Sequence, residues 1–169
     1  QTLEESLTGA ADAIYSEGVA RVGYEPGSRY QYSGGGYTLL QLLIEEISGQ
    51  SFQEYMTQEV LLPLGMEHST FVLTDSLNWQ IATLYNKDGS ISEPYVYTAL
   101  AAASLYSCTN DMAKFLKAHV TENTVLSKES LKEMTTATAF RNQMGIHGLG
   151  PQLFSGSDEN SHVIGHNGG

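Results

Sequence analysis

The chain has 169 residues, 41% of them apolar and 16% charged, which suits one domain with a real core and excludes a disordered tail. Eight Lys and Arg against nineteen Asp and Glu leave a net charge of −11, which argues against nucleic acid or an anionic membrane surface as partner, because phosphate contacts need clustered cations. No apolar run approaches the roughly 18 residues of a membrane span, and the one cysteine, Cys108, rules out an intrachain disulfide and reads as a small buried thiol.

In chain order, Thr2 to about Tyr15 carries Leu3, Leu7, Ala10, Ala11 and Ile14 at helical spacing, with Glu4 and Glu5 in the first turn. Gly18–Gly23 reads as an extended link and Pro26-Gly27 as a turn. A short extended run follows, with Tyr30 and Tyr32 at alternate positions, and then three glycines. Tyr37–Ile47 is a helix whose six Leu and Ile cover most of its circumference. It is therefore expected to be largely buried, with Glu45 and Glu46 on its wet side and Gly49 as its stop. Ser51 and Glu54 form a capping box for a helix ending before Pro63. Leu64-Gly65-Met66 is a turn, and Ser69–Leu73 a short strand. Asn86-Lys-Asp-Gly89 has the chemistry of a tight hairpin turn. Ala99–Leu105 is a small-residue run. Thr109 caps a helix over Asn110–Val120 with Met112, Ala113, Phe115 and Leu116 inside, and Ser127 caps another over Lys128–Met134. From Phe140 onward, Gly145, Gly148, Gly150 and Gly156 punctuate short apolar pieces, and His162-Val-Ile164 looks like the entry to a strand.

A search for a nucleophile finds none in a recognised setting. There is no G-x-S-x-G, and none of the five lysines has a serine three residues before it, so S-x-x-K is absent. P-loop and H-E-x-x-H patterns are absent too. His162-x-x-x-His166 has helical metal-ligand spacing, but Val163-Ile164-Gly165 favours a strand, which would hold the two side chains about 13 Å apart. No metal and no cofactor are expected. His68, His119 and His147 are isolated and read as surface or satisfied core histidines. Two local patterns remain, Tyr32-Ser33-Gly34 and Gly165-His166-Asn167-Gly168-Gly169. Each alone reads as a core tyrosine or a glycine-rich hairpin.

Five ordered motifs give these patterns a context. They are Pro26-Gly27…Tyr32-Ser33 with Gly36-Tyr37; Ile47-x-Gly49 with Phe52 and Tyr55; Pro63-Leu-Gly-Met66 with Ser69-Thr70; Ala101–Phe115; and Gly148-Leu-Gly150 with Gly165-His166-x-Gly168-Gly169. Over residues 26–169 the chain resembles the serine beta-lactamase-like family, in its class C, esterase and D-aminopeptidase branch. The resemblance implies an α+β fold, a fragment of the beta-lactamase/transpeptidase-like fold. It would hold mostly the helical domain (35–139) and part of the antiparallel-sheet domain (1–34 and 140–169).

It also implies acyl transfer through a serine ester on a small-molecule ester or amide. Tyr32 is then the catalytic proton shuttle and His166 its companion on the edge strand. Gly34, Gly168 and Gly169 form the oxyanion and substrate-binding side. Gly34 stands where many members carry Asn, which favours an esterase-like hydrolase over a true beta-lactamase or peptidase. The missing S-x-x-K, the start at Gln1 and the stop on Gly168-Gly169 are expected of an internal fragment, inactive by itself. A cut sheet also leaves edges and an apolar face, so self-association or pairing with the missing segments is expected. The family is often exported, so a periplasmic or secreted location is expected, with a cytoplasmic one left open. The rival readings are a beta-lactamase-like domain used for binding or regulation, and a helical scaffold that makes no use of Tyr32 or His166.

Overall fold

The computed structural model describes residues 2–8, 19–94, 96–121, 124–136, 141–142, 145–154 and 163–167. They fall into two compact units. One comprises Gln1–Arg21 and Ser33–Phe115, the other Val22–Tyr32 and Leu116–Gly169.

The first unit is helical. α1 (Leu3–Leu7) starts at a capping box: Glu5 N–H donates to Thr2 Oγ1 at 3.2 Å, and Thr2 N–H donates to the Glu5 carboxylate at 2.9 Å. The rest of the helix expected up to Tyr15 falls on residues 9–18, outside the described ones.

α2 (Gly34–Ser48) begins three residues earlier than expected, because Ser33 Oγ accepts the Gly36 N–H at 3.0 Å and so caps a turn made of the three glycines. It stops at Gly49, whose φ of +66° is the left-handed conformation that glycine adopts without penalty. The expectation of a largely buried helix is wrong. Only Thr38 and Gln41 are buried, while Leu39, Leu40, Leu43 and Ile47 are exposed. The reason is what α2 packs on. Gln41 Nε2 donates to the Thr98 carbonyl at 3.2 Å and its Oε1 accepts the Ala101 N–H at 3.1 Å. The polar stripe thus docks on the backbone entering α4 (Leu100–Ala103), whose small side chains permit close approach. Glu45 is not simply on a wet side either, since its carboxylate accepts the Phe52 N–H at 3.0 Å.

α3 (Phe52–Met56) carries the expected Ser51–Glu54 capping box and runs into a π-helical turn, Thr57–Leu61, ahead of Pro63. Phe52 meets Phe71 edge to face at 5.1 Å, and with Leu61 and Met66 it forms the small apolar core of this unit. The strand expected over Ser69–Leu73 is a single antiparallel bridge, Thr70 to Tyr106. β1 (Leu84–Tyr85) and β2 (Ile91–Ser92) make the hairpin expected around Asn86–Gly89, with Gly89 at φ +84°.

α5 (Thr109–Val120) buries Asp111 and Ala118, whereas Ala113 and Leu116, expected inside, are exposed. Asp111 is fully buried because it closes a loop. It accepts the His68 N–H at 2.7 Å and the Ser69 hydroxyl at 2.9 Å, and pairs with Lys114 at 2.9 Å. Lys114 also donates to the Gly65 carbonyl, so the Leu64-Gly65-Met66 turn and α5 are tied through one carboxylate. Cys108, expected buried, is half-buried and free.

In the second unit, α6 (Lys128–Thr135) starts where Ser127 Oγ accepts the Ser130 N–H. An antiparallel sheet follows in the order β3 (Arg141–Asn142), β4 (Gly145–His147), β5 (Gln152–Leu153) and β6 (Ile164–Gly165). Its register aligns His147, Gln152 and Gly165 in one row across three strands. Gly148 follows β4 where a Cβ would collide with the Met134 carbonyl oxygen, and Leu149 N–H donates to that same oxygen at 2.9 Å. The end of α6 is therefore clamped on β4. The pattern of helices and small antiparallel sheets is that of a partial α+β fold.

Candidate functional site

Tyr32 is delivered by a turn and an extended run. Gly27, at φ +76°, reverses the chain after Pro26, and the Arg29 guanidinium lies 3.0 Å over the Tyr24 ring across that turn. Tyr30 and Tyr32 lie two residues apart on the segment that leads into the Ser33 cap. Each meets a histidine. Tyr30 stacks on His147, with ring centroids 4.1 Å apart and planes at 19°. Tyr32 lies 6.0 Å from the His166 ring at 35° and remains 55% exposed.

The structure therefore brings together two residues singled out in distant parts of the sequence, Tyr32 and His166, within one compact unit. His166 follows β6 and is exposed. Its Nδ1 is hydrogen-bonded to the Asn167 carbonyl, which can only accept, so Nδ1 carries the proton and Nε2 is the nitrogen left for another partner.

Gly34 is the first residue of α2. Its carbonyl accepts the Thr38 hydroxyl at 3.1 Å, and a Cβ placed on it would meet only Ala102 Cβ, at 4.0 Å. A side chain could therefore be accommodated at this position. Gly168 and Gly169 lie outside the described residues, as does His162.

His147, read in the sequence as a surface or satisfied core histidine, is the partner of Tyr30. It is buried at 3% exposure, and its imidazole is held below the usual histidine pKa, chiefly by burial and secondarily by the charge of nearby His166. Beside His147 in register, Gln152 is buried at 2% exposure, with an Oε1 that has no hydrogen-bond partner among the described residues. The one sequence signal that could have found His147 is the Tyr30–Tyr32 alternation, which calls for a second partner next to that of Tyr32. Of the other histidines, His68 contributes only its backbone N–H to Asp111. Among the described residues no group of three or more His, Cys, Asp or Glu could hold a metal ion, and no helix is long and apolar enough to cross a membrane.

The sequence profile of the Beta-lactamase family matches residues 11–169. "Protein flp" of Staphylococcus aureus (strain MW2) is 32% identical over 98 residues, covering 56% of this chain and 20% of that protein. The "Putative penicillin-binding protein PbpX" of Bacillus subtilis is 27% identical over 155 residues, covering 89% of this chain and 37% of that protein. Among solved structures, the octameric penicillin-binding protein homologue from Pyrococcus abyssi superposes with a TM-score of 0.66 at 30% identity, over 89% of this chain and 34% of that one. The chain spans well under half the length of each of these relatives.

Proposed function

Because the chain belongs to the beta-lactamase family, we propose that it supplies the proton-transfer and substrate-facing part of a serine hydrolase acting through an acyl-enzyme on a small ester or amide. The observation that carries this reading is the Tyr32–His166 pair, two rings 6.0 Å apart at an exposed edge of one compact unit. In this reading a serine Oγ forms a bond to the substrate carbonyl carbon as its proton passes to Tyr32. Backbone N–H groups, that of Gly169 among them, hold the resulting oxyanion. Collapse breaks the bond to the leaving group, which takes the proton back from Tyr32, and water later cleaves the acyl ester by the same route. His166 lines the substrate edge through Nε2. Gly34 carries no amide side chain, which in this reading favours an ester over a peptide or beta-lactam substrate.

A phenol ionises only near pH 10 in water, so Tyr32 needs a cation beside it when it accepts a proton. The S-x-x-K lysine that would provide one, like the serine itself, is absent from these 169 residues. The chain by itself is therefore proposed to be inactive. We further propose that it associates with itself or with further segments through the apolar stripe of α2.

The test uses a short-chain 4-nitrophenyl ester and a chromogenic beta-lactam. The 169 residues alone should give no burst. A family-length protein carrying them should turn the ester over, and Tyr32→Phe should lower its kcat/KM by about 10²- to 10⁴-fold. A burst from the isolated chain, or undiminished turnover in the Tyr32→Phe protein, would overturn the proposal. A family-length protein that is never acylated would instead support a binding or regulatory domain.

A further inference from the structure

We propose that His147 is a positioning residue. By stacking on Tyr30 it fixes the extended segment that carries Tyr32, and so sets the distance between Tyr32 and His166. The role assigned to that pair rests on the function proposed above; the placement itself does not.

Tyr32 and His166 are both exposed, and their rings are tilted and 6.0 Å apart. A contact of that kind at a wet surface restrains little, because both rings can turn toward solvent. Two residues back along the same segment, the Tyr30–His147 contact is of another kind. It is closer, at 4.1 Å, nearly parallel at 19°, and one of its partners is 3% exposed. Tyr30 and Tyr32 are two residues apart, a span of at most about 7 Å, so a ring pinned at the first limits where the second can stand. The pinned ring therefore determines where Tyr32 stands.

The other half of the device is rigid. His147 and the strand leading to His166 belong to one sheet, joined through the row His147–Gln152–Gly165. His147 cannot slide along that row, because Gly148 is pressed against the Met134 carbonyl and Leu149 N–H is bonded to it. Two tyrosines on one segment thus meet two histidines, one on β4 and one just after β6 of the same sheet, and the buried pair holds the exposed pair in place. A buried ring suits this role, since a stacked ring needs no counter-charge.

The experiment measures proximity and not catalysis, so it stands or falls apart from the reaction. In the chain with 13C-labelled Tyr and His, a nuclear Overhauser cross-peak between the Tyr32 and His166 rings is expected. His147→Phe, which keeps a flat ring, should retain at least half of its intensity. His147→Ala should reduce it at least fivefold, and Tyr30→Leu, which removes the stack from the other side, should do the same should His147→Ala fail to fold. Methyl spectra report folding in each case. A cross-peak that survives both His147→Ala and Tyr30→Leu in folded protein would overturn the proposal. So would a loss in His147→Phe as large as in His147→Ala. Turnover of a family-length protein lost on Tyr32→Phe but kept on His147→Ala would count against positioning while leaving the proposed reaction intact.

Discussion

At the scale of single residues, Asp111 carries the most testable burden. Burial alone would raise its pKa, but hydrogen bonds from Lys114, the His68 N–H and the Ser69 hydroxyl, with the charge of Lys114, bring it below the usual 3.8. A carboxyl with a depressed folded pKa stabilises the fold above about pH 4, and that contribution is lost as pH falls through the folded value. Asp111→Asn should therefore lower unfolding stability at pH 7 by about 2 kcal/mol, since a neutral amide turns N–H toward the Lys114 ammonium and accepts more weakly. The difference should shrink on acidification below pH 4. Urea titrations at pH 7 and pH 3 check both parts; an equal deficit at the two pH values would contradict the account. Lys114 is half exposed, so its ion pair contributes less than the hydrogen bonds to His68 and Ser69.

At the scale of elements, three glycines separate three physical situations. Gly148→Ala puts a Cβ into the Met134 carbonyl, a backbone atom that cannot swing aside, and should destabilise by about 2 kcal/mol or more. Gly49→Ala keeps open space but forces a left-handed conformation at φ +66°, and should cost about 1 kcal/mol. Gly34→Ala meets no close neighbour and starts a helix, and should stabilise by about 0.5 kcal/mol. Thermal unfolding of the three variants should give that order, and a reversal of Gly148 and Gly34 would contradict these contacts. The caps behave differently. Ser33, Ser51 and Ser127 each hold a helix start through a bond spanning three residues, and Ser51 and Ser127 were legible in the sequence because capping is local. Ser33 gives no such signal, because the three glycines after it are poor helix formers.

At the scale of the whole molecule, α2 sets the problem. Leu39, Leu43 and Ile47 are four residues apart and lie with Leu40 on one exposed stripe, Ile47 at 78% exposure. An apolar stripe of this length on a protein of −11 charge calls for a cover. At micromolar concentration the 169 residues are expected to associate in sedimentation velocity, and the double substitution Leu43→Lys with Ile47→Lys should return them to monomer without loss of helix content. A monomer without the substitutions would contradict this.

The sequence by itself determined what is local or strung along the chain: helix starts at Thr2, Ser51 and Ser127, the Gly49 stop, the Asn86–Gly89 hairpin, and the ordered motifs that point to the beta-lactamase fold. Such features depend on neighbours within a few positions, or on the order of motifs, and both are written in the chain. Only the tertiary structure decided which face of α2 is buried, because the apolar count of a helix does not reveal that its Gln41 stripe docks on the α4 backbone. Only it revealed that Asp111 and Ala118, and not Ala113 or Leu116, are the buried residues of α5. It also decided the Tyr–His arrangement. Tyr32 and His166 could each be picked out by pattern, but their approach, and the Tyr30–His147 stack beside it, depend on the register of strands that no local rule fixes.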